Sequence, residues 1–160
     1  MKNYLIILLL VIILVLASFM YKSSRTTIFQ DFFKTDFRKI KDGQNHFYLV
    51  LFFSKNNCEP CLDVINVLNR LTEPFSVIGF VPEKELEDEE ELRNKTNANF
   101  KLRGLKRYKK FIPPYAPTLF GVSQNNEIFF ILPSVPNETN YLEQFLADFH
   151  HKAYPLLVKK

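Results

Sequence analysis

Apolar residues in this chain either run without interruption or recur at helical spacing, and the two patterns alternate. Residues 28–40 place Phe29, Phe32, Phe33 and Phe37 on one side of a predicted helix, which Asp42-Gly43 ends. Residues 46–54 read as a strand whose middle, Phe47-Tyr48-Leu49-Val50-Leu51-Phe52-Phe53, is apolar throughout and so is expected to be buried on both faces. Residues 58–71 return to helical spacing, with Leu62, Ile65, Leu68 and Leu71 on one face. A second buried strand is expected over 75–81 and an acidic helix from Pro82 to about Asn94. Residues 99–112 suggest a short strand and then a short helix through Lys106-Arg107-Tyr108. Pro113-Pro114-Tyr115-Ala116-Pro117 interrupts regular structure. Strands over 118–122 and 128–132 flank a hairpin turn at Gln124-Asn125-Asn126-Glu127, and an amphipathic helix over 137–151 closes the chain. The order predicts an α/β fold, a mixed sheet sandwiched between helices.

A longer apolar run precedes all of this. Residues 4–21 are 18 consecutive uncharged, mostly apolar residues, the length of one transmembrane helix. A cleavable signal peptide is the rival, with Ala17 behind Val15 as a weak cleavage position. The run is long for a signal peptide and no cysteine follows it for lipid attachment, so an uncleaved anchor is favoured. The expected organisation is an N-terminal membrane anchor (or signal peptide) over 1–23 and one globular domain over 24–160. Lys2 stands on one side of the run, Lys22 and Arg25 on the other, so charge does not orient it. A short charged N-terminus before a single apolar run still resembles an export signal. The expected location is therefore a single-pass membrane protein with its domain in the periplasm or another extracytoplasmic space.

Composition adds little to partner choice. The formal net charge of +4 is too small to argue for nucleic acid. Charge is uneven, with seven acidic residues from Glu83 to Glu91 and eight basic ones from Arg93 to Lys110. Solvated helix faces with i,i+4 pairing account for this, and a partner-docking surface is the alternative. With 17 phenylalanines and no tryptophan, the core is expected to be built on Phe.

The chemistry sits at Cys58-Glu59-Pro60-Cys61, which holds the only two cysteines of the chain. A strand leading into Cys-x-x-Cys at a helix start is the layout of a thiol–disulfide redox site. The thiolate is the reactive form of cysteine, and free N–H groups at a helix start stabilise it. Asn56 or Asn57 can cap the helix and Pro60 suits its first turn. Cys58 is then the exposed attacking thiol, and Cys61, one turn in, resolves the mixed disulfide. A structural disulfide or two unrelated buried cysteines are the bland alternatives. Zinc wants about four ligands; His46, His150 and His151 show no ligand spacing, so neither a metal nor a cofactor is expected.

These features together resemble the thioredoxin fold and, within it, the membrane-anchored TlpA/ResA-like thiol–disulfide oxidoreductases. Cys58-Glu59-Pro60-Cys61 is a sequence familiar from ResA-like proteins. Ala116-Pro117-Thr118-Leu119-Phe120 looks like the family's cis-proline and the antiparallel strand after it. The N-terminal anchor is the third match. Pro117 lies 59 residues after Cys58, which leaves room for the helix and strand that TlpA-like proteins insert. The likeness spans roughly residues 28–152. It implies a thioredoxin-like mixed sheet flanked by helices, catalysis by Cys58 and Cys61, and a substrate groove at Ala116 and Pro117. It also implies a disulfide-containing protein substrate, such as apocytochrome c before haem attachment, and an upstream thiol electron donor.

Three positions depart from the pattern. Asn57 stands where the family usually carries Trp. Phe52 stands where thioredoxins carry a buried Asp six residues before the first cysteine, and Val64 where ResA-like proteins carry Glu. Glu59 or Asp63 then has to serve as proton acceptor for Cys61. Glu59 and Pro60 also set the direction of electron flow. A carboxylate beside Cys58 opposes its thiolate, favours the disulfide and makes the dithiol a reductant. A second class of function fits the same departures: a non-catalytic binding module whose cysteines hold Cu(I) or form a static disulfide.

Overall fold

A computed structural model describes residues 9–18, 32–34, 37, 47–57, 59–71, 74–106, 117–133 and 139–155. Contacts divide the chain into two units, Met1–Lys41 and Asp42–Lys160. In the first, residues 9–18 are helical, and the apolar side chains of residues 9–16 are 49–66% exposed. Ten helical residues rise about 15 Å, roughly half a bilayer core. Among the described residues no helix is long and apolar enough to cross a membrane. The remainder of the predicted span, residues 4–8 and 19–21, lies outside the described residues. Phe32, Phe33 and Phe37 are buried, and their rings meet edge to face at 5.2 and 5.4 Å. Phe29 and most of the predicted helix over 28–40 lie outside the described residues.

The second unit is built on a five-stranded sheet. In chain order it holds β1 (Phe47–Phe52), α1 (Glu59–Asn69), β2 (Phe75–Pro82), α2 (Glu83–Leu86), α3 (Glu89–Thr96), β3 (Lys101–Leu105), β4 (Thr118–Ser123), β5 (Ile128–Pro133) and α4 (Thr139–Asp148). The strands lie in the order β3-β2-β1-β4-β5. β1 and β2 are parallel, as are β2 and β3, while β4 runs antiparallel to β1 and to β5. β1 is thus the central strand. All six of its residues are buried, which is why its sequence is an unbroken apolar run.

Alternation along β1 sends Phe47, Leu49, Leu51 and Phe53 into one core with Cys61, Val64, Ile65 and Leu68 of α1 and Leu142 and Leu146 of α4. Tyr48, Val50 and Phe52 are buried on the opposite face, where Phe52 stacks on Phe80 at 5.4 Å and meets Phe120 edge-on at 5.3 Å. Phenylalanine dominates the first core as well. The ring of Phe47 lies 4.8 Å from Phe149, 6.0 Å from Phe75 and 6.2 Å from Phe130.

Several elements differ from expectation for local reasons. The acidic helix is broken at Glu87 and Asp88. The Asp88 side chain accepts from the Glu91 amide at 2.9 Å and so caps a new helix, α3. Asn97, at φ 57°, ends that helix in the left-handed conformation, its N–H donating to Arg93 O. The i,i+4 pairing expected of the charged run is present, with Arg93 on Glu89 at 2.7 Å and Lys95 on Glu91 at 2.6 Å. Leu62 is not a core residue; it is 37% exposed. The buried face of α1 instead runs through Cys61, Val64, Ile65 and Leu68, because the helix turns Cys61 inward. His150 is half-buried, its ring stacked on Tyr154 at 5.5 Å. The helix expected at Arg107-Tyr108 lies outside the described residues, whereas the strand before it is β3.

Candidate redox site

The site lies at the C-terminal end of the parallel strands. Phe53 still belongs to the ladder, its amide donating to Phe80 O at 3.1 Å. Ser54 leaves the sheet and Lys55–Asn57 forms one 3-10 turn. α1 then begins at Glu59, so the residue before it in sequence is Cys58. Asn56 and Asn57 therefore fall in the 3-10 turn and not at the cap position, because the helix starts later than its pattern suggests. Glu59 and Pro60 occupy its first two positions, where Pro loses no hydrogen bond. Cys61 is the third residue of the helix and is fully buried among the core side chains. Asp63 is partly buried on the same helix, and Val64 is core at 2% exposure. Cys58 itself lies outside the described residues.

Pro117 is brought to the same place by the sheet. Thr118 pairs with Phe52 across the antiparallel β1–β4 ladder, so the residue before Thr118 stands beside the segment that leaves β1 towards Cys58. Pro117 is buried there. Ala116, and with it the isomer of the Ala116–Pro117 bond, lies outside the described residues.

The missing acid at position 52 acquires a physical meaning. Phe52 points to the sheet face opposite the one that packs Cys61, and it is sealed between Phe80 and Phe120. A carboxylate at that position would face away from Cys61.

A carboxylate enters from elsewhere. Glu85, in α2, is only 7% exposed. Its Oε1 accepts from the Ser54 hydroxyl at 2.6 Å and its Oε2 from the Lys55 amide at 2.7 Å. Lys55 Nζ donates to Glu91 Oε2 at 2.8 Å. Hydrogen bonds from Lys55 and Lys95 pull the Glu91 carboxyl down to about 2, and Glu91 with its neighbours raises Lys55. A cleft of about 440 Å³, lined by Val67, Arg70, Phe75, Leu146, His150 and His151, is at the other end of α1. It holds no part of the redox site.

No protein-family model and no curated protein sequence matches the chain. Solved structures do. A thiol:disulfide interchange protein, DsbE, from Chlorobium tepidum superposes with a TM-score of 0.54 at 18% identity, over 68% of this chain and 83% of that one. StoA from Bacillus subtilis gives 0.51 at 14% identity, over 67% and 86%. A second Chlorobium tepidum thiol:disulfide interchange protein, of the thioredoxin family, gives 0.50 at 15% identity, over 66% and 80%. The protein has a thioredoxin fold.

Within this thioredoxin fold, sequence reasoning singled out Cys61 and Pro117, which the structure brings to one sheet end, but missed Glu85, Lys55 and the exposure of Leu62 beside Cys61. Glu85 was hidden in an acidic run that reads as a solvated face. One signal for it exists: neighbouring parallel strands deliver the residues after them to the same sheet end. The segments after β1 and β2 had to meet.

Proposed function

We propose that the protein is a membrane-anchored thiol–disulfide oxidoreductase that reduces disulfides of partner proteins through Cys58 and Cys61. The observation that carries this is the buried Cys61 in the first turn of a helix that starts one residue after Cys58, at the same sheet end as Pro117. In the reaction, the Cys58 thiolate attacks one sulfur of a substrate disulfide. A mixed disulfide forms, and the displaced substrate sulfur leaves as a thiolate that takes up a proton. Cys61, deprotonated, attacks the Cys58 sulfur, releases the second substrate thiol and leaves the Cys58–Cys61 disulfide. Two electrons have passed to the substrate. An upstream thiol donor then returns the pair to the dithiol.

Cys61 is packed among Val64, Ile65 and Leu51, and Glu59 or Asp63 of the same helix serves as the acceptor for its proton. Ala116 and Pro117 offer backbone to an extended substrate segment, as in strand addition. Leu62, exposed next to Cys61, adds an apolar contact for it. Residues 4–21 are the membrane anchor, and the domain faces the periplasm or another extracytoplasmic space. Their apolar sequence supports this, as does the exposure of the helical residues 9–16. Apocytochrome c awaiting haem attachment is a fitting substrate.

The test is disulfide reduction of insulin by the full chain in detergent, with dithiothreitol as donor. The wild type should accelerate precipitation of the insulin B chain, Cys58→Ser should abolish it, and Cys61→Ser should trap a mixed disulfide. A wild type that is inert here but binds Cu(I) through both sulfurs would make the domain a binding module instead.

A further inference from the structure

Lys55 is gripped twice by the insert that follows β2. Its amide donates to Glu85 of α2 and its ammonium to Glu91 of α3. Ser54, the residue before it, gives its hydroxyl to the other oxygen of Glu85. Both oxygens of a nearly buried carboxylate are thus spent on two consecutive residues of the segment that leads into Cys58. Solvation of the acidic run would use neither oxygen in this way. A carboxylate with so little water around it needs donors for its oxygens, and here the donors belong to the segment before Cys58.

We propose that Glu85 is a positioning residue of the redox pair, tying the segment before Cys58 to the insert and holding the couple reducing. The proposal rests on the oxidoreductase function given above. Two effects follow from the geometry and act in the same direction. Three residues span at most about 11 Å, so the clamp at Lys55 limits where Cys58 can stand relative to Cys61. A fixed loop raises the effective concentration of one thiol at the other and so favours the intramolecular disulfide. A carboxylate bonded to the segment that leads into Cys58 also opposes a thiolate formed at the end of that segment, which again favours the disulfide over the dithiol.

Equilibration of the full chain with glutathione, read by mass after acid quenching, tests this together with the pH profile of Cys58 alkylation. Glu85→Gln keeps the side chain's size and removes its charge. It should lower the equilibrium constant for disulfide formation about tenfold, which is about 30 mV, and move the alkylation profile to lower pH. Ser54→Ala leaves the charge and removes one tie; it should lower the constant about threefold with little change in the profile. A carboxylate that only stabilises the fold would lower the melting temperature and move neither reading. An unchanged constant and profile in a folded Glu85→Gln overturns the proposal. Should that variant not fold, an unchanged constant in Ser54→Ala does so. A wild type that forms no Cys58–Cys61 disulfide at any glutathione ratio would overturn the oxidoreductase function itself, a separate outcome from unresponsive variants of an active protein.

Discussion

Phe52→Asp places an acid where thioredoxins carry one, and the structure predicts that it will cost the fold without helping Cys61. Phe52 is fully buried on the sheet face opposite α1, with Phe80 and Phe120 against its ring. Truncating a buried Phe costs about 3–5 kcal/mol, within which each aromatic contact accounts for about 0.5–1.5. The acid adds about 1–3 kcal/mol for the hydration it loses on burial beside these rings. The sum, about 4–8 kcal/mol, is most or all of the roughly 5–15 kcal/mol that stabilises a domain. Urea unfolding followed by far-UV circular dichroism should show little or no cooperative transition for Phe52→Asp. Phe52→Leu, which keeps the site apolar, should lose only about 1 kcal/mol, or about 4 °C in melting temperature. Insulin reduction by any folded fraction of Phe52→Asp should be no faster than wild type. A Phe52→Asp protein with a near-native urea midpoint and faster turnover would refute the face assignment, since the acid would then be hydrated and within reach of Cys61.

Two further outcomes follow from the same structure. The Glu91 carboxyl sits at about 2 against an ordinary 4.5, so its ion pairs stabilise the fold fully above about pH 4.5 and are lost as pH falls from there towards 2; unfolding midpoints at pH 7, 4 and 2.5 should fall less steeply for Glu91→Gln than for wild type, and equal slopes would refute the assignment. Gly121→Ala should destabilise by about 1–3 kcal/mol in a thermal melt, because a Cβ there overlaps the Phe130 ring, which Phe145 and Phe149 hold at 5.0 and 5.1 Å and which cannot retreat; an unchanged melt would show that the ring has room to move.

Much of the candidate site was legible because its signals are local. Cys58-Glu59-Pro60-Cys61 states its own spacing. The apolar run before it and the helical spacing after it place the pair at a strand-to-helix junction whatever the rest of the chain does. Pro117 was legible for a similar reason, as a proline directly before a strand. What stayed hidden depends on contacts between segments about 30 residues apart. Glu85 is one of seven acids in a stretch that looks solvated, and only its partners, Ser54 and Lys55, distinguish it. Leu62 fits the apolar stripe of α1 as well as Cys61 does, and the stripe is too wide to say which edge faces the sheet.

The sequence by itself determined the order of the strands, the burial of β1 on both faces and the place of the cysteine pair between a strand and a helix. Burial periodicity and cysteine spacing are properties of neighbouring residues, and they survive in any fold that satisfies them. Tertiary structure alone decided the strand order β3-β2-β1-β4-β5, the arrival of Pro117 beside the segment leaving β1, and the face on which Phe52 is sealed. It also turned Glu85 from a surface acid into the anchor of Ser54 and Lys55. Parallel pairing of β1 with β2 brings those two segments to one sheet end, and a carboxylate that loses its water there has to find donors on the neighbouring strand's loop.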